Sequence, residues 1–490
     1  MKKAQITIYL SISFALILSI FLSVFETARS AGLRVLTECA AESALSSAFA
    51  EYNRLLLSEY DVFFIDLSYE GHEPDTAFLS NRLSEYFYDN CEPEGEEHFL
   101  SYRDWYNIQS TSATIEGIRL ATDYSGEVFR DQAIASIKEM VGFNQIADVQ
   151  SWIGVYKEKQ LDKDTYLEQS EKAKKEWEEY DANKIWSGNL SKSFSLPLER
   201  FFYTGNIFLE DIVMTASHKV TDISILASER TLAKGENTTF EIQFNPVDEL
   251  IFDEYILSKL GNYRNTRDNT DLLYEVEYVL TGECSDDFNL LKVLDILFYL
   301  RSAANLCSLS ADSDTLEMLK TISEPLSALT KIPEPVITAF LLIIWAEAEA
   351  VFDVHALTDG KRVPLIKSVE NFTLSLSGST SEIPVEQLDG NEYFTDGTNE
   401  TENPAEGTNG SDSIKDGLKY EDYLRILLAF IPPETKVFRV MDMIEVHIRN
   451  LTKNMNFRMD ACVEAVEVQF NLETKYGHSF SANRKYGYYM

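Results

Sequence analysis

An uncharged segment of apolar residues and small hydroxyl residues near the amino terminus constrains this chain more than any other feature. The segment runs from Ile6 to Phe25 without a charged residue, with Lys2 and Lys3 before it and Glu26 after it. At about 1.5 Å per residue, a helix of this length crosses a hydrocarbon core of roughly 30 Å. We therefore predict a transmembrane helix at residues 6–25, in contact with membrane lipid, after a short cytoplasmic start at residues 1–5.

The charges on either side of this segment predict its orientation. Lys2 and Lys3 precede it, the residues after it carry mixed charges, and positive residues that flank a membrane helix stay cytoplasmic. We expect a single-pass protein of the cell membrane with a cytoplasmic amino terminus and the bulk of the chain extracellular. The alternative is a cleaved signal peptide, because Ala28 and Ser30 would suit a cleavage site before Ala31. We favour the anchor, since the apolar core of a signal peptide usually spans only about 7 to 15 residues.

The acidic composition argues against one class of partner. The 490 residues carry a formal net charge of -37. Proteins bind nucleic acids largely through Lys and Arg side chains at the phosphates, so we expect no nucleic-acid partner. The apolar content of 45% is enough to form cores in the part beyond the anchor, which has room for two or three domains.

A search for chemical motifs finds no catalytic frame. The sequence contains no HExxH, GxSxG, GxGxxG or complete phosphate-binding loop, and its six histidines do not repeat at metal-ligand spacing. We therefore predict no catalytic residue, no metal site and no cofactor. Five scattered cysteines favour free thiols over a disulfide scaffold. They are Cys39, Cys91, Cys284, Cys307 and Cys462.

The periodicity of the apolar residues predicts an α+β fold that is mostly helical. Strand-like patterns occur at Asp61–Leu67, Tyr106–Thr122 and Asn456–Thr474, with helical patterns between them. Because a lone strand leaves its backbone groups unpaired, we expect one external antiparallel sheet formed from both ends of the chain. A stalk helix that continues the anchor should cover one face of this sheet.

The same patterns divide the chain into regions. The charged stretch Leu161–Lys184 predicts a solvated helix or arm, and Val336–Trp345 is too short for a second membrane span, which favours a buried core helix. The predicted regions are a membrane-proximal α+β region at 26–245, a central helical subdomain at 246–374, a disordered acidic and polar insertion at 375–416, and C-terminal helices and strand at 417–490 that complete the α+β domain.

The most concentrated polar side chains lie on apolar helices of the predicted helical subdomain. They are Glu275, Glu277, Asn289, Arg301, Asn305, Glu349 and Asp353. A buried charge is costly unless it is paired, so we interpret them as a structural polar cluster in which Arg301 pairs with Glu277 or Glu349. The alternative is that two of the carboxylates act as general acid and base of an extracytoplasmic cell-wall glycoside hydrolase. Two carboxylates at an unknown separation are unspecific, and we favour the structural interpretation.

Several segments resemble a family of membrane-anchored proteins of Gram-positive anaerobes, the domain of unknown function 5702. The similar segments are Ile6–Ser11, Glu26–Arg29, Ala50–Arg54, Tyr274–Gly282, Asp287–Leu290, Trp345–Glu349, Gly360–Leu365 and Tyr423–Arg425. The resemblance covers nearly the whole chain except Ser375–Asp416.

The resemblance implies a place and a role. Genes of this family accompany Tad-type pilus and secretion clusters, and the layout is similar to an enlarged TadE/TadG-like pseudopilin. It implies no catalytic residues and suggests pilus assembly proteins as partners. We expect a non-enzymatic accessory or assembly component, with an extracellular binding or adhesion module as a further alternative. The residues Ala4 and Gln5 lack the glycine of a pilin-type processing site, so we expect no cleavage by a prepilin peptidase.

Overall fold

A computed structural model describes residues 2–91, 106–180, 211–236, 245–374 and 417–488. The α-helices of these ranges are α1 (Lys2–Phe49), α2 (Arg54–Tyr60), α3 (Thr76–Cys91), α4 (Glu127–Ile137), α5 (Phe143–Glu158), α6 (Lys163–Glu179), α7 (Pro246–Lys259), α8 (Glu275–Thr281), α9 (Asp286–Ala311), α10 (Ser313–Thr330), α11 (Glu334–Thr358), α12 (Tyr420–Leu428) and α13 (Pro433–Thr452). The strands are β1 (Ile65–Asp66), β2 (Ile108–Leu120), β3 (Cys462–Thr474) and β4 (Ser479–Gly487). The predicted mostly helical α+β fold is confirmed.

The chain divides into two compact units. The first, which we call the sheet unit, comprises residues 1–136, 224–244 and 440–490, and the second, the helical unit, comprises residues 137–223 and 245–439. The region boundaries predicted from composition stay predictions, and the predicted insertion at 375–416 lies outside the described residues.

The sheet unit joins the two ends of the chain through one antiparallel sheet. Strand β3 pairs with β2 on one side and with β1 and β4 on the other. The register places Ile115 opposite Val468 and Ala113 opposite Phe470. On β3, Val466, Val468 and Phe470 are buried, whereas the residues between them are more exposed, as the alternation predicts. The expected sheet from both ends is therefore confirmed.

Strand β1 is shorter than the predicted strand Asp61–Leu67, because a side chain replaces part of the expected pairing. The Phe63 N–H donates to Gln132 Oε1 at 2.8 Å, and Gln132 Nε2 donates to the Phe63 carbonyl at 3.1 Å. Asp61 ends α2 with a left-handed backbone, which is incompatible with a strand at that position. Only Ile65 and Asp66 keep ladder pairing with β3.

Helix α1 continues from the apolar segment into the core of the sheet unit. Side chains from Ile6 to Phe25 are exposed, whereas Leu33 and the later small residues Ala41 and Ala44 are buried in the core that includes β3. Gly32 lies against the Tyr106 side chain, where an added Cβ would come within 2.6 Å of the hydroxyl oxygen. The predicted stalk helix is thus observed as one helix that packs with the sheet.

Two helices of the described residues are long and apolar enough to cross a membrane by length and composition. One is the segment Ile6–Phe49 of α1, whose most apolar window is wholly exposed. The other is α11, whose most apolar window is mostly buried. Burial of Ile344 and Trp345 within the helical unit fits the predicted core helix.

In the helical unit, α9, α10 and α6 each pack against α11. Residues of α6, α10 and α11 share one core cluster. The prediction that Leu161–Lys184 is wholly solvated is wrong for one face of α6. Trp177 is 5% exposed and stacks on Phe340 with ring centroids 4.0 Å apart, and Tyr166 is also buried. The aromatic residues lie at spacing that gives α6 one apolar stripe, which its many charges on the other faces obscured.

The five cysteines are all free. Cys307 lies within α9, and the Cys91 and Cys462 thiols are buried. Burial raises the pKa of Cys91 to about 12, so this thiol stays protonated and inert.

Candidate functional site

The seven polar residues predicted from the sequence all lie in the helical unit, but they form separate groups. Arg301, Asn305, Glu349 and Asp353 lie together with Lys367 and Tyr423, and we call these six residues the arginine cluster. Glu275 and Glu277 lie with Asp286 and Tyr420, and we call these four the glutamate cluster. Asn289 belongs to neither cluster.

Arg301 lies at the centre of the arginine cluster and is fully buried on α9. Its Nε and Nη2 donate to Asp353 Oδ2 at 3.0 and 2.9 Å, and Nη2 also donates to Asn305 Oδ1 at 3.2 Å. Its Nη1 donates to the carbonyls of Pro364 and Leu365, both at 2.8 Å. The guanidinium therefore ties α9 to α11 and to the segment after α11.

Lys367 supplies the second cation of this cluster. Its Nζ lies 3.1 Å from Asp353 Oδ1 and also contacts Glu349 Oε1. The two Glu349 oxygens accept the N–H groups of Thr373 and Leu374 at 2.8 and 3.0 Å. Sequence reasoning missed Lys367, although a lysine within an otherwise apolar segment (Leu365, Ile366) is a signal for a buried ion pair.

The expected pairing of Arg301 with Glu277 or Glu349 is wrong. Arg301 instead forms an ion pair with Asp353 of α11. Glu349, one turn earlier on the same helix, forms an ion pair with Lys367. Burial alone would raise the pKa of the Asp353 carboxyl, but the charges of Arg301 and Lys367 outweigh burial and lower it below its ordinary value. This carboxyl is therefore held ionised by two cations.

The glutamate side chains of the glutamate cluster bind backbone N–H groups of the loop before α8. Glu275 Oε2 accepts the Gly261 N–H at 2.7 Å, and Glu277 Oε1 accepts the Tyr263 N–H at 2.9 Å and the Tyr420 hydroxyl at 2.8 Å. Both glutamates are 0% exposed, and the second oxygen of each has no hydrogen-bond partner. Their side chains serve as internal acceptors that order the segment before α8.

Burial dominates the electrostatics of these two glutamates. Burial raises the pKa of Glu275 and of Glu277 to about 7, although hydrogen bonds from the loop lower each in part. Arg267 also lowers the pKa of Glu275, and neighbouring Asp286 raises the pKa of both. Near neutral pH these buried carboxyls are therefore partly protonated.

Asp286 completes the attachment of the loop. Its Oδ1 accepts the N–H groups of Leu273 and Tyr274 at 3.0 and 3.1 Å. Asn289 has a separate structural role, because its Oδ1 accepts from Thr281 Oγ1 at 2.5 Å and from the Glu283 N–H at 2.9 Å, which secures the end of α8. Asp286 is the first residue of α9, where a negative charge is also favoured by the helix dipole.

The predicted polar residues do not line the open cleft described in the helical unit. That cleft has a volume of about 440 Å³ and is lined by Trp152, Arg362, Gly417, Leu418, Lys419, Glu421, Asp422 and Arg425. A glycoside hydrolase needs its two carboxyls on either side of an accessible scissile bond. Across the described ranges, no group of three or more His, Cys, Asp and Glu residues is placed to hold a metal ion.

The comparisons with known proteins give a family. Residues 205–474, more than half of the chain, match the model of a family of unknown function, DUF5702. The chain belongs to this family. The matched range includes both the arginine cluster and the glutamate cluster. Searches of curated protein sequences and of solved structures gave no significant match.

Proposed function

We propose that this DUF5702 protein is a membrane-anchored, non-enzymatic accessory or assembly component of a Tad-type pilus or secretion system, with a pseudopilin-like layout. The observation that carries the proposal is the continuity of α1. One helix supplies both the exposed apolar segment Ile6–Phe25 and the buried segment from Leu33 to Phe49. A helix shared by an anchor and a folded domain is the arrangement that the resemblance to TadE/TadG-like proteins implies.

Contacts just beyond the apolar segment support an anchor that is retained. Arg29 Nη2 donates to the Tyr106 carbonyl at 2.8 Å, and its guanidinium lies 4.9 Å from the Tyr476 ring centroid. Glu26 Oε1 lies 3.5 Å from His478 Nε2. Cleavage before Ala31 would remove these contacts from the folded domain, which supports the anchor over the signal peptide.

The bonding of the candidate carboxyls supports a non-enzymatic role. Glu349 and Asp353 are engaged by Lys367 and Arg301, and Glu275 and Glu277 hold backbone N–H groups of a loop. Each of the four is almost fully buried. Carboxyls that are buried in this way and do not line the cleft are poorly placed to exchange a proton with a substrate.

Anchoring is tested by placing charge in the apolar segment. The double substitution Ile17→Arg with Leu18→Arg should move the protein from the membrane fraction to the soluble or degraded fraction, because each arginine costs about 2.5–3.5 kcal/mol at the centre of a membrane helix. Val35→Arg, at an exposed position of α1 outside the segment, is the matched control and should stay in the membrane fraction. Equal membrane recovery of both variants would refute the anchor.

Orientation is tested by adding protease to intact protoplasts. We expect digestion of nearly all of the chain and a small protected fragment around residues 6–25. Full protection would reverse the orientation, and a mature chain that begins at Ala31 would establish the signal peptide.

The role is tested by deletion of the gene in its host. We expect loss or shortening of the pili, restored by the wild-type gene but not by the Ile17→Arg, Leu18→Arg variant, and co-purification of the protein with pilus assembly proteins. Normal pili in the deletion strain would contradict the proposal. Release of sugar or peptide from cell wall by the purified protein would instead establish a hydrolase.

A further inference from the structure

The helical unit buries a second Lys–Asp–Glu trio outside both clusters. Lys436, near the start of α13, is 1% exposed, and Asp253, in the middle of α7, is 2% exposed. Lys436 Nζ donates to Asp253 Oδ1 and lies 3.6 Å from Glu249 Oε2. Glu249 and Asp253 are four residues apart, so both carboxyls lie on one face of α7 and both reach the same amine.

The Asp253 carboxyl has an oxygen that no neighbour holds. Its Oδ2 is buried and makes no hydrogen bond. Burial raises the pKa of Asp253 to about 6, even though the Lys436 charge lowers it in part and Glu249 and Glu254 raise it further. The carboxyl therefore enters its neutral form far more readily than an ordinary aspartate does.

The arginine cluster contains a similar trio, Lys367 with Asp353 and Glu349, but its aspartate has no unbonded oxygen. Lys367 also contacts an aspartate and a glutamate, but Asp353 Oδ2 accepts hydrogen bonds from Arg301 and Asn305. Those donors stabilise the carboxylate and lower its pKa. The helical unit thus contains one lysine beside a carboxylate held ionised and another beside a carboxyl with a free, buried oxygen.

We propose that Lys436 and Asp253 condense into an intramolecular isopeptide bond, with Glu249 as the catalytic proton carrier. A buried amine is a nucleophile once it is neutral, and low polarity favours the neutral amine and the neutral acid over the ion pair.

The reaction requires no co-reactant. The ammonium of Lys436 transfers a proton to the Asp253 carboxylate, which gives a neutral amine and a neutral acid. Nζ then attacks Cγ, and a new Nζ–Cγ bond forms as Glu249 accepts a proton from Nζ. Glu249 returns that proton to the departing hydroxyl, the Cγ–O bond breaks, and one water leaves. The balance is amine plus acid to amide plus water, with no change of oxidation state.

The product suits this environment better than the reactants do. A buried ion pair loses more hydration than its attraction restores unless further hydrogen bonds satisfy it, and Asp253 Oδ2 lacks one. The amide is neutral and joins α7 to α13. The cross-link closes the chain between residues 253 and 436, which restricts the unfolded state.

Peptide mapping of the full-length protein, purified in detergent and digested with trypsin, tests the proposal. Trypsin does not cleave after an acylated lysine, so we expect a branched peptide in which residues 235–259 are joined to residues 426–439, with a mass equal to the sum of these two segments less one water. Lys436→Arg keeps the positive charge but removes the nucleophile, and should yield only linear peptides. Recovery of the two linear wild-type peptides, with no branched one, would establish a simple ion pair and overturn the proposal.

Two further variants separate the roles within the trio. Glu249→Gln should leave Lys436 and Asp253 largely unjoined, and its yield of the branched peptide should be at least tenfold lower than that of wild type. Equal cross-linking in this variant would remove Glu249 from the mechanism. Lys367→Arg is the matched control at the other trio and should retain the branched peptide in full. Loss of the branched peptide in Lys367→Arg as well would show that the cross-link does not depend specifically on the trio of Lys436, Asp253 and Glu249, and would contradict the proposal.

Discussion

The arginine cluster and the glutamate cluster are both buried, but the pKa values of their carboxyls shift in opposite directions. In the first, Arg301 and Lys367 face Asp353, whose pKa is lowered although burial alone would raise it. In the second, Glu275 and Glu277 are held mainly by backbone N–H groups and a hydroxyl, and burial raises the pKa of both to about 7. The comparison teaches that the kind of donor, rather than the degree of burial, decides which carboxyls stay ionised.

The two clusters also meet neighbouring positions of one short helix. On α12, the Tyr420 hydroxyl donates to Glu277 and the Tyr423 hydroxyl accepts from Arg301 Nη1 at 3.0 Å. Each tyrosine is fully buried. This arrangement lets matched substitutions on the same helix compare the clusters.

The largest expected effect follows from removal of the central cation. Arg301→Met should destabilise the helical unit by about 3–5 kcal/mol, because Asp353 then lacks its main buried partner. The control is Lys163→Met, since Lys163 pairs with Asp295 at the surface and such pairs contribute about 0–1 kcal/mol. Hydrogen exchange of the α9 amides measures both. Equal losses of protection in the two variants would show that the buried ion pair of Arg301 contributes no more to stability than the exposed ion pair of Lys163.

The next effect concerns pH. The folded pKa of Glu277 is raised from 4.5 to about 7, so its contribution to stability is fully present below about pH 4.5 and is lost as the pH rises through 7. At about 1.4 kcal/mol per pKa unit, the loss is on the order of 3 kcal/mol. We expect the amide of Tyr263, which donates to Glu277, to lose protection between about pH 5 and pH 8, after correction for intrinsic exchange rates.

The variant Glu277→Gln resembles the protonated carboxyl and should flatten this pH dependence. The internal comparison is the arginine cluster, where the pKa of Asp353 is lowered below 3.8 and stability is lost only as the pH falls through that lower value. The amides of α11 around Asp353 should therefore keep constant protection over the same range. A loop whose protection is independent of pH in wild type would contradict the assignment for Glu277.

The smallest effect separates the two tyrosines. Tyr420→Phe should cost about 1.5–3 kcal/mol above pH 7, where Glu277 is ionised, and less below pH 6, where the acceptor is neutral. Tyr423→Phe should cost about 1 kcal/mol at either pH, because Arg301 Nη1 keeps the carbonyls of Pro364 and Leu365. Thermal unfolding at the two pH values gives the comparison, and a pH-independent Tyr420→Phe effect would contradict it.

Sequence periodicity predicted the elements whose signal is local. Val466, Val468 and Phe470 alternate along β3, and unpaired strands require partners, which was enough to predict a sheet from both ends of the chain. The truncation of β1 was beyond local reasoning, because Gln132, distant in sequence, takes the backbone groups of Phe63. Patterns report which face is apolar, but they do not report which distant side chain competes for a backbone hydrogen bond.

The polar residues of the candidate site show the same limit. Their types and helical positions predicted burial with partners, and Arg301 does bond Asn305 one turn later. The partner of Arg301 was predicted wrongly, because the choice between Glu349 and Asp353 depends on where Lys367 enters from the segment after α11. The spacing of Glu349 and Asp353 along the sequence does not predict which of them Arg301 binds, because Lys367 comes from a different segment.

The continuity of α1 also fixes the direction in which each side chain of the apolar segment points relative to the sheet. Because residues from Leu33 onward are held in the core and the helix is unbroken, each exposed side chain of the apolar segment has one azimuth relative to the sheet. Deletion of a single residue between Glu26 and Gly32 would turn that segment by about 100° and shorten the helix by about 1.5 Å. Neighbouring proteins that pack against the apolar segment would therefore meet a different stripe of side chains, although the sheet itself would be unchanged.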